Sequence, residues 1–544
     1  MKKNEYRSAG AMSNIPSFAL VNGKIWTVNN KQPWAEAVAI LDNKIAAAGT
    51  TGQVKKIIGS ATRVIDLHGS FAMPGFNDAH LHFGDGALAL QGVDLREAKD
   101  ETEFATKIEN YAATILKGTW ILRGNWNHEN WRSHKHPSKE LIDPVTPVHP
   151  VFVCRIDDHI ALANSLALRL SGIDRETPNP PGGEIKKDPG TGEPTGILID
   201  KAWDLVLRAI PPFTFDQTKS TLAAGLAYAA KYGITSFQDN SSTMDLRVYQ
   251  ALLQEGNLTA RVNAWRPAEL IDHFITLGVT ANFGSDMLRI GTIKIYADGS
   301  MGAGSALFYE PYSDDPSTCG LSLLSEEELN RVIVAGDAAG LQLAIHAIGD
   351  RANTLVLDAL EQAYQKNGRR IRRHRIEHCQ VVTPEDMVRY KSLGVIASIQ
   401  PSHCIDDMVW AEKRIGRERR KNAYRVGSFL SHGIPIAIGT DWAVESLNPM
   451  VGLYAAVTRE SISGGPAGGW FPNEKITIEQ AIEGYTLGAA YAEFAEHNKG
   501  SLEVGKLADI VVLSKNLLDV SPKEYLDTEV LCTIVDGKVV YQNF

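Results

Sequence analysis

At 544 residues the chain is longer than one hydrophobic core usually organises, which points to a large domain with a smaller companion. Hydrophobic residues make up 44% and charged residues 22%, so a sizeable core can form, and the net charge of -9 argues against nucleic acid or an anionic membrane as partner. Five cysteines without a Cys-x-x-Cys pair, no apolar run of about 18 residues and no signal-like N-terminus make a reducing, cytoplasmic setting the expectation.

In chain order, short β-like runs come first. Phe18–Val21 turns through Asn22-Gly23 into Lys24–Val28, and Ala37–Leu41 turns through Asp42-Asn43 into Lys44–Ala48, which reads as two hairpins. The C-terminal end has the same texture in Asp509–Leu513, Val530–Val535 and Lys538–Tyr541. Neither end can bury a sheet core alone, so residues 15–73 and 496–544 are expected to pair into one small β-sandwich.

Between them, from 74 to 495, strands alternate with helical segments, the pattern of a parallel sheet. The first strand carries Pro74-Gly75-Phe76-Asn77-Asp78-Ala79-His80-Leu81-His82-Phe83. Seven more follow at Gly233–Gln238, Ala260–Trp265, Thr292–Tyr296, Gln342–His346, His374–His378, Val395–Gln400 and Pro435–Thr440. Eight such strands close a (β/α)8 barrel. Residues from about 92 to 211 interrupt this rhythm and hold two further strand-like runs, Trp120–Arg123 and Pro150–Val153. They read as an inserted α/β subdomain over the barrel mouth, with Pro178–Gly196 as a hairpin or lid loop. The basic run Arg414–Lys421 reads as a solvated helix face.

Polar residues at the C-terminal ends of barrel strands carry the chemistry in this fold. His80 and His82, two residues apart on a strand, can aim both imidazoles at one point, as a metal ion requires. Lys294 lies on the fourth strand, His346 ends the fifth, His378 the sixth and Asp441 the eighth, each behind an apolar run. Any one of them could be a core histidine, a snorkelling lysine or a helix cap. Their arrival together at one rim favours a metal centre.

These segments resemble the amidohydrolase superfamily of metal-dependent hydrolases, and within it amidohydrolase family 3, the branch that contains N-substituted formamide deformylase. The resemblance covers nearly the whole chain. It is carried by Pro74–Phe83, I-K-I-Y-A-D-G-S at Ile293–Ser300, H-A-I-G-D-R-A at His346–Ala352, R-I-E-H-C at Arg375–Cys379, I-G-T-D-W at Ile438–Trp442 and Gly500–Leu513. It implies one or two divalent ions, zinc being the expected metal. His80, His82 and Asp441 would hold one, His346 and His378 the second, with carboxylated Lys294 as a bridge. A lysine among apolar neighbours and beside cations is readily neutral, and a neutral amine can capture CO2 as a carbamate. The implied reaction is attack on a carbonyl by water acidified at the metal, with Asp441 moving the proton.

Contacts to the ligating side chains or to the substrate are expected from Asp298, Arg351, Gln400 and His403 at the rim, and from Trp126, Trp131 and His159 in the insertion, where either tryptophan could instead pack within the subdomain. Relatives have Asp-Gly-His where this chain has Asp157-Asp158-His159, which puts the substrate contact of that loop in doubt. The expected reaction is hydrolysis of a C–N bond in a non-peptide amide, such as an N-substituted formamide or N-acyl compound. Deamination, cyclic-amide or lactone hydrolysis by the same site stays open, as does a non-catalytic barrel. The expected partner is a small-molecule substrate, with homo-oligomerisation left open.

Overall fold

The computed structural model describes residues 15–128, 131–155, 160–368 and 370–544. Eight parallel strands follow one another around a barrel: β1 (Phe76–Leu81), β2 (Ile234–Asn240), β3 (Arg261–Pro267), β4 (Thr292–Tyr296), β5 (Gln342–Ala347), β6 (Arg375–His378), β7 (Ile396–Ile399) and β8 (Ile436–Ile438). Some of the eight, such as Ile396–Ile399 and Ile436–Ile438, are nearly all apolar, as strands covered on both faces can be, whereas Phe76–Leu81, Ile234–Asn240 and Arg375–His378 bury many polar residues. Helices between them show ordinary stop and start signals. Pro384–Leu393, for example, is capped by Thr383 at its start, has proline in its first turn, and ends at Gly394 in the left-handed region.

The seam between β8 and β1 has no regular ladder and is closed by specific bonds. Asp441 N donates to His80 O at 2.7 Å, and the Asp78 carboxylate accepts from both the backbone N (3.0 Å) and the hydroxyl (2.5 Å) of Thr440. Gly439 lets the two strands approach: a Cβ there would lie 2.4 Å from His80 N and 3.0 Å from His80 O.

The two chain ends do build a composite sandwich. One sheet runs, in spatial order, Lys44–Gly49, Ala37–Leu41, Phe18–Val21, Arg63–Asp66. The other runs Lys538–Gln542, Val530–Val535, Ile510–Leu513, Phe71–Pro74, Lys24–Trp26, Trp34–Ala35. Leu20, Val38, Ile25, Ala72, Val512 and Ile534 from both sheets share one core. The expected hairpin at Asn22-Gly23 is not formed. Phe18–Val21 is buried at every position and takes partners on both edges, at Ala37–Leu41 and Arg63–Asp66. The turn therefore carries the chain from one sheet to the other. The second expected hairpin, through Asp42-Asn43, is present.

The chain divides into two compact units, one comprising residues up to Gly84 with Leu222–Phe544, the other Asp85–Thr221. The second unit extends beyond the 92–211 read from the sequence at both ends. Its five-stranded sheet runs Gly183–Lys187, Pro194–Asp200, Ile160–Ala163, Val151–Arg155, Ile121–Trp126, so the Pro/Gly-rich stretch is a hairpin. Among the described residues no helix is long and apolar enough to cross a membrane.

Candidate metal centre

His80 sits at the end of β1, fully buried. Its Nδ1–H donates to Glu377 Oε2 at 2.7 Å, which leaves the Nε2 lone pair facing the rim, 3.1 Å from Lys294 Nζ. His82, one residue past β1, brings its Nε2 to 3.4 Å from Asp441 Oδ1, and His80 Nε2 lies 3.6 Å from the same oxygen. In the ladder between β4 and β5, Tyr296 stands opposite His346, and in the next ladder Ala347 stands opposite His378. The strand register thus brings residues far apart in sequence to one level.

Period-two alternation would send Glu377 and His378 to opposite sides of β6. His378 escapes it through a left-handed backbone, φ 73°, and Asp441 beyond β8 does likewise at φ 58°. Neither residue is glycine, so each position carries strain that the surrounding fold must hold. His378 Nδ1 then donates to Gln400 Oε1 at 2.9 Å, and its ring lies 4.5 Å from that of His346.

Electrostatically the site favours neutral nitrogen donors. Burial, followed by the nearby Lys294, holds His346 down at about 3, and burial and neighbouring imidazoles push His80 and His378 well below the usual histidine range. Burial also draws Lys294 down to about 8, opposed by Glu377 and Asp441. Asp441 is pushed up to about 7 by burial, with Lys294 pulling the other way. Lys294 also lies 4.8 Å from the centre of the Tyr296 ring.

These groups fit a divalent cation. Asp441 Oδ1 is buried and accepts no hydrogen bond, a costly state for a carboxylate oxygen unless a cation faces it. Two triads of donor atoms converge within 4.8 Å, His80/His82/Asp441 and His378/His403/Asp441. Imidazole nitrogens with a carboxylate oxygen form a donor set that zinc and other divalent transition metals accept. The first triad is the one read from the sequence. The second replaces His346 with His403, whose Nε2 lies 3.5 Å from Asp441 Oδ2. His346 remains beside the site but turns its Nε2 to Gly299 O at 3.1 Å.

Other expected contacts are redistributed. Asp298 is fully buried and accepts from the backbone N of Leu307, Ile348 and Gly349 at 2.8 to 3.0 Å, so it shapes the loop after β5 and stands 3.5 Å from His346. Gln400 orients His378. Arg351 does not join the site: its side chain reaches Glu326 at 3.6 Å, on the outside of the helix. Trp126 is fully buried in the insertion's own core and donates Nε1–H to Val153 O at 2.9 Å, and Trp131 does the same to Ala98 O, so neither ring has a free face. His159 lies outside the described residues. The sequence reading missed Glu377, which holds His80 on one side and the buried Arg375 on the other. The signal was present, since Arg375 and Glu377 at i and i+2 place opposite charges on one face of an otherwise apolar strand. It also missed Gln380, whose Nε2–H donates to His403 Nδ1 at 3.2 Å.

Residues 63–541 match the family described as "Amidohydrolase family". The chain is 36% identical to "Protein LONG AFTER FAR-RED 3" of Arabidopsis thaliana, over 97% of this chain and 92% of that protein. It is 27% identical to N-substituted formamide deformylase of Arthrobacter pascens, over 98% and 99% of the two chains. The solved structure of an uncharacterized metal-dependent hydrolase from Pyrococcus horikoshii OT3 superposes with a TM-score of 0.78 at 30% identity, covering 93% of this chain and 99% of the other.

Proposed function

Because this chain belongs to the amidohydrolase family, we propose that it is a metal-dependent hydrolase cleaving the carbon–nitrogen bond of a small-molecule, non-peptide amide. The observation that carries this reading is the buried Asp441 Oδ1 that accepts no hydrogen bond, between His80 and His82, at a cavity of about 340 Å³. His80, His82 and Asp441 would hold one divalent ion, with His378 and His346 offering a second place. An ion there, zinc being the expected one, would acidify a water and polarise the substrate carbonyl.

Asp441 is the proton carrier. Its carboxylate lies beside His80 and His82 at the place of the ion, where it would take the proton of the attacking water and return it to the departing nitrogen. Lys294, drawn down to about 8 by burial, gives up its proton more readily than an ordinary lysine and is suited to carboxylation, which would turn an unfavourable buried cation into two oxygen donors. Gln380 donates to His403 Nδ1, which puts the hydrogen on Nε2 and makes that edge a donor for the substrate carbonyl oxygen. An N-substituted formamide is the first substrate to try, since a relative of full length carries that name.

The test is turnover of N-substituted formamides, N-acyl amines, cyclic amides, lactones and aminopurines by protein stripped with a chelator and then reloaded with zinc. Amide cleavage that appears only on reloading is expected. Absence of any turnover by fully metallated protein, the outcome a non-catalytic barrel predicts, would overturn the proposal.

A further inference from the structure

We propose that the cavity of the metal site takes a substrate bearing an organic cation, an ammonium or amidinium group a few bonds from the scissile carbonyl. The inference rests on the amide-hydrolase reading. Besides the donor set described above, the cavity is lined by Asp407, Glu445, Trp410 and Gln380. Lys294 is the only lysine or arginine among its lining residues.

The carboxyls of that wall have no cationic partner among the described residues. Asp407 accepts from the Tyr424 hydroxyl, and Glu445 lies beside Asp406 at the rim. The groups acting on Glu445 are Asp406, Asp407 and Asp441, all of them acids. Acids gathered in a partly desolvated wall hold protons or repel one another, and a bound cation would stabilise their ionised form.

Gln380 points to the same ligand chemistry independently. It is 4% exposed, its amide nitrogen is spent on His403, and its Oε1 has no hydrogen-bond donor. A buried acceptor without a donor costs free energy that an incoming N–H would recover. Asp407 and Glu445, once ionised, and Gln380 Oε1 offer acceptors to an N–H cation, and Trp410 adds an aromatic ring of the kind organic cations pack against. A further metal ion is a poorer match. Among the described residues only the two triads built on Asp441 converge tightly enough to hold one, and neither includes Asp406, Asp407 or Glu445.

The experiment uses zinc-loaded full-length protein and three amides of similar size: neutral N-butylacetamide, N-(3-aminopropyl)acetamide with the cation on the amine side, and N-butyl-3-aminopropanamide with the cation on the acyl side. One of the two cationic amides should show a kcat/KM at least ~10-fold above the neutral one. Glu445→Gln and, separately, Asp407→Asn should each lower that ratio about tenfold, in variants whose circular dichroism and zinc content match wild type. Equal turnover of neutral and cationic amides, or an unchanged ratio in both variants, overturns the inference. If no amide is cleaved, the hydrolase reading fails by itself, and calorimetric binding decides the cavity. N-(3-aminopropyl)acetamide or N-butyl-3-aminopropanamide binding ~10-fold tighter than N-butylacetamide, with the difference lost in Glu445→Gln, supports it. Equal binding refutes it.

Discussion

Replacing Glu377 with glutamine isolates one charge in the support of the metal centre. His80 and Glu377 are both fully buried and 2.7 Å apart, so the bond between them is a short, charge-assisted one. Such a bond exceeds a neutral one by about 1–1.5 kcal/mol, and loss of a carboxylate behind a ligating histidine commonly costs about 10–100-fold in metal affinity, or ~1.4–2.8 kcal/mol. Glutamine keeps the shape but turns an amide N–H toward the Arg375 or His80 donor, and the buried Arg375, left with its bonds to Ala79 O (2.8 Å) and Ser398 Oγ (2.6 Å), loses its counter-charge, so some stability is lost as well. Zinc affinity, read by competition with a chromogenic chelator, should fall at least tenfold in Glu377→Gln. Thermal unfolding of the metal-free protein provides the contrast. If Glu377 serves only as the counter-charge of Arg375, the metal-free melting point drops while zinc affinity stays within about threefold of wild type, and the positioning argument is wrong.

Lys294→Met should leave the chain with fewer divalent ions by elemental analysis and should abolish a carbonyl resonance seen after growth in 13C-bicarbonate; retention of that resonance would show that the carbamate lies elsewhere. Gly439→Ala places a methyl 2.4 Å from His80 N and 2.8 Å from Asp78 Oδ1, backbone and clasp atoms of the β1–β8 seam, and should cost about 1–3 kcal/mol, with an unchanged melting point counting against tight closure there. Asp337 provides a pH prediction. Burial raises its carboxyl, but hydrogen bonds from His374, Arg372 and Asn367 outweigh this and hold it at about 2. The unfolded chain, titrating near ~4, binds more protons below that pH, so this group contributes roughly 2 kcal/mol above about pH 5 and loses it as pH falls through 4 toward 2. Asp337→Asn should therefore lower urea stability at pH 7 by more than at pH 3; an equal deficit at both would refute the assignment.

Strand count, barrel class and the gathering of His80, His82 and Asp441 at one rim were readable from the sequence because their signals are local. Apolar runs of strand length, Pro-Gly and Asp-Gly turns, and a histidine or aspartate directly after a strand all lie within a few residues of one another. His80, His82 and Asp441 needed only the rule that barrel chemistry collects at the strand ends. What the sequence left undetermined was the company each side chain keeps. Glu377 meets His80 across 297 positions, and Asp78 meets Thr440 across 362. The exchange of His346 for His403 beside Asp441, the routing of Phe18–Val21 and Lys24–Trp26 into different sheets, and the acidic wall at Asp407 and Glu445 likewise appear only after the barrel closes. Left-handed backbone at His378 and Asp441 belongs to the same class. No local pattern favours φ above zero there, and closure of the rim around the site supplies the contacts that hold it.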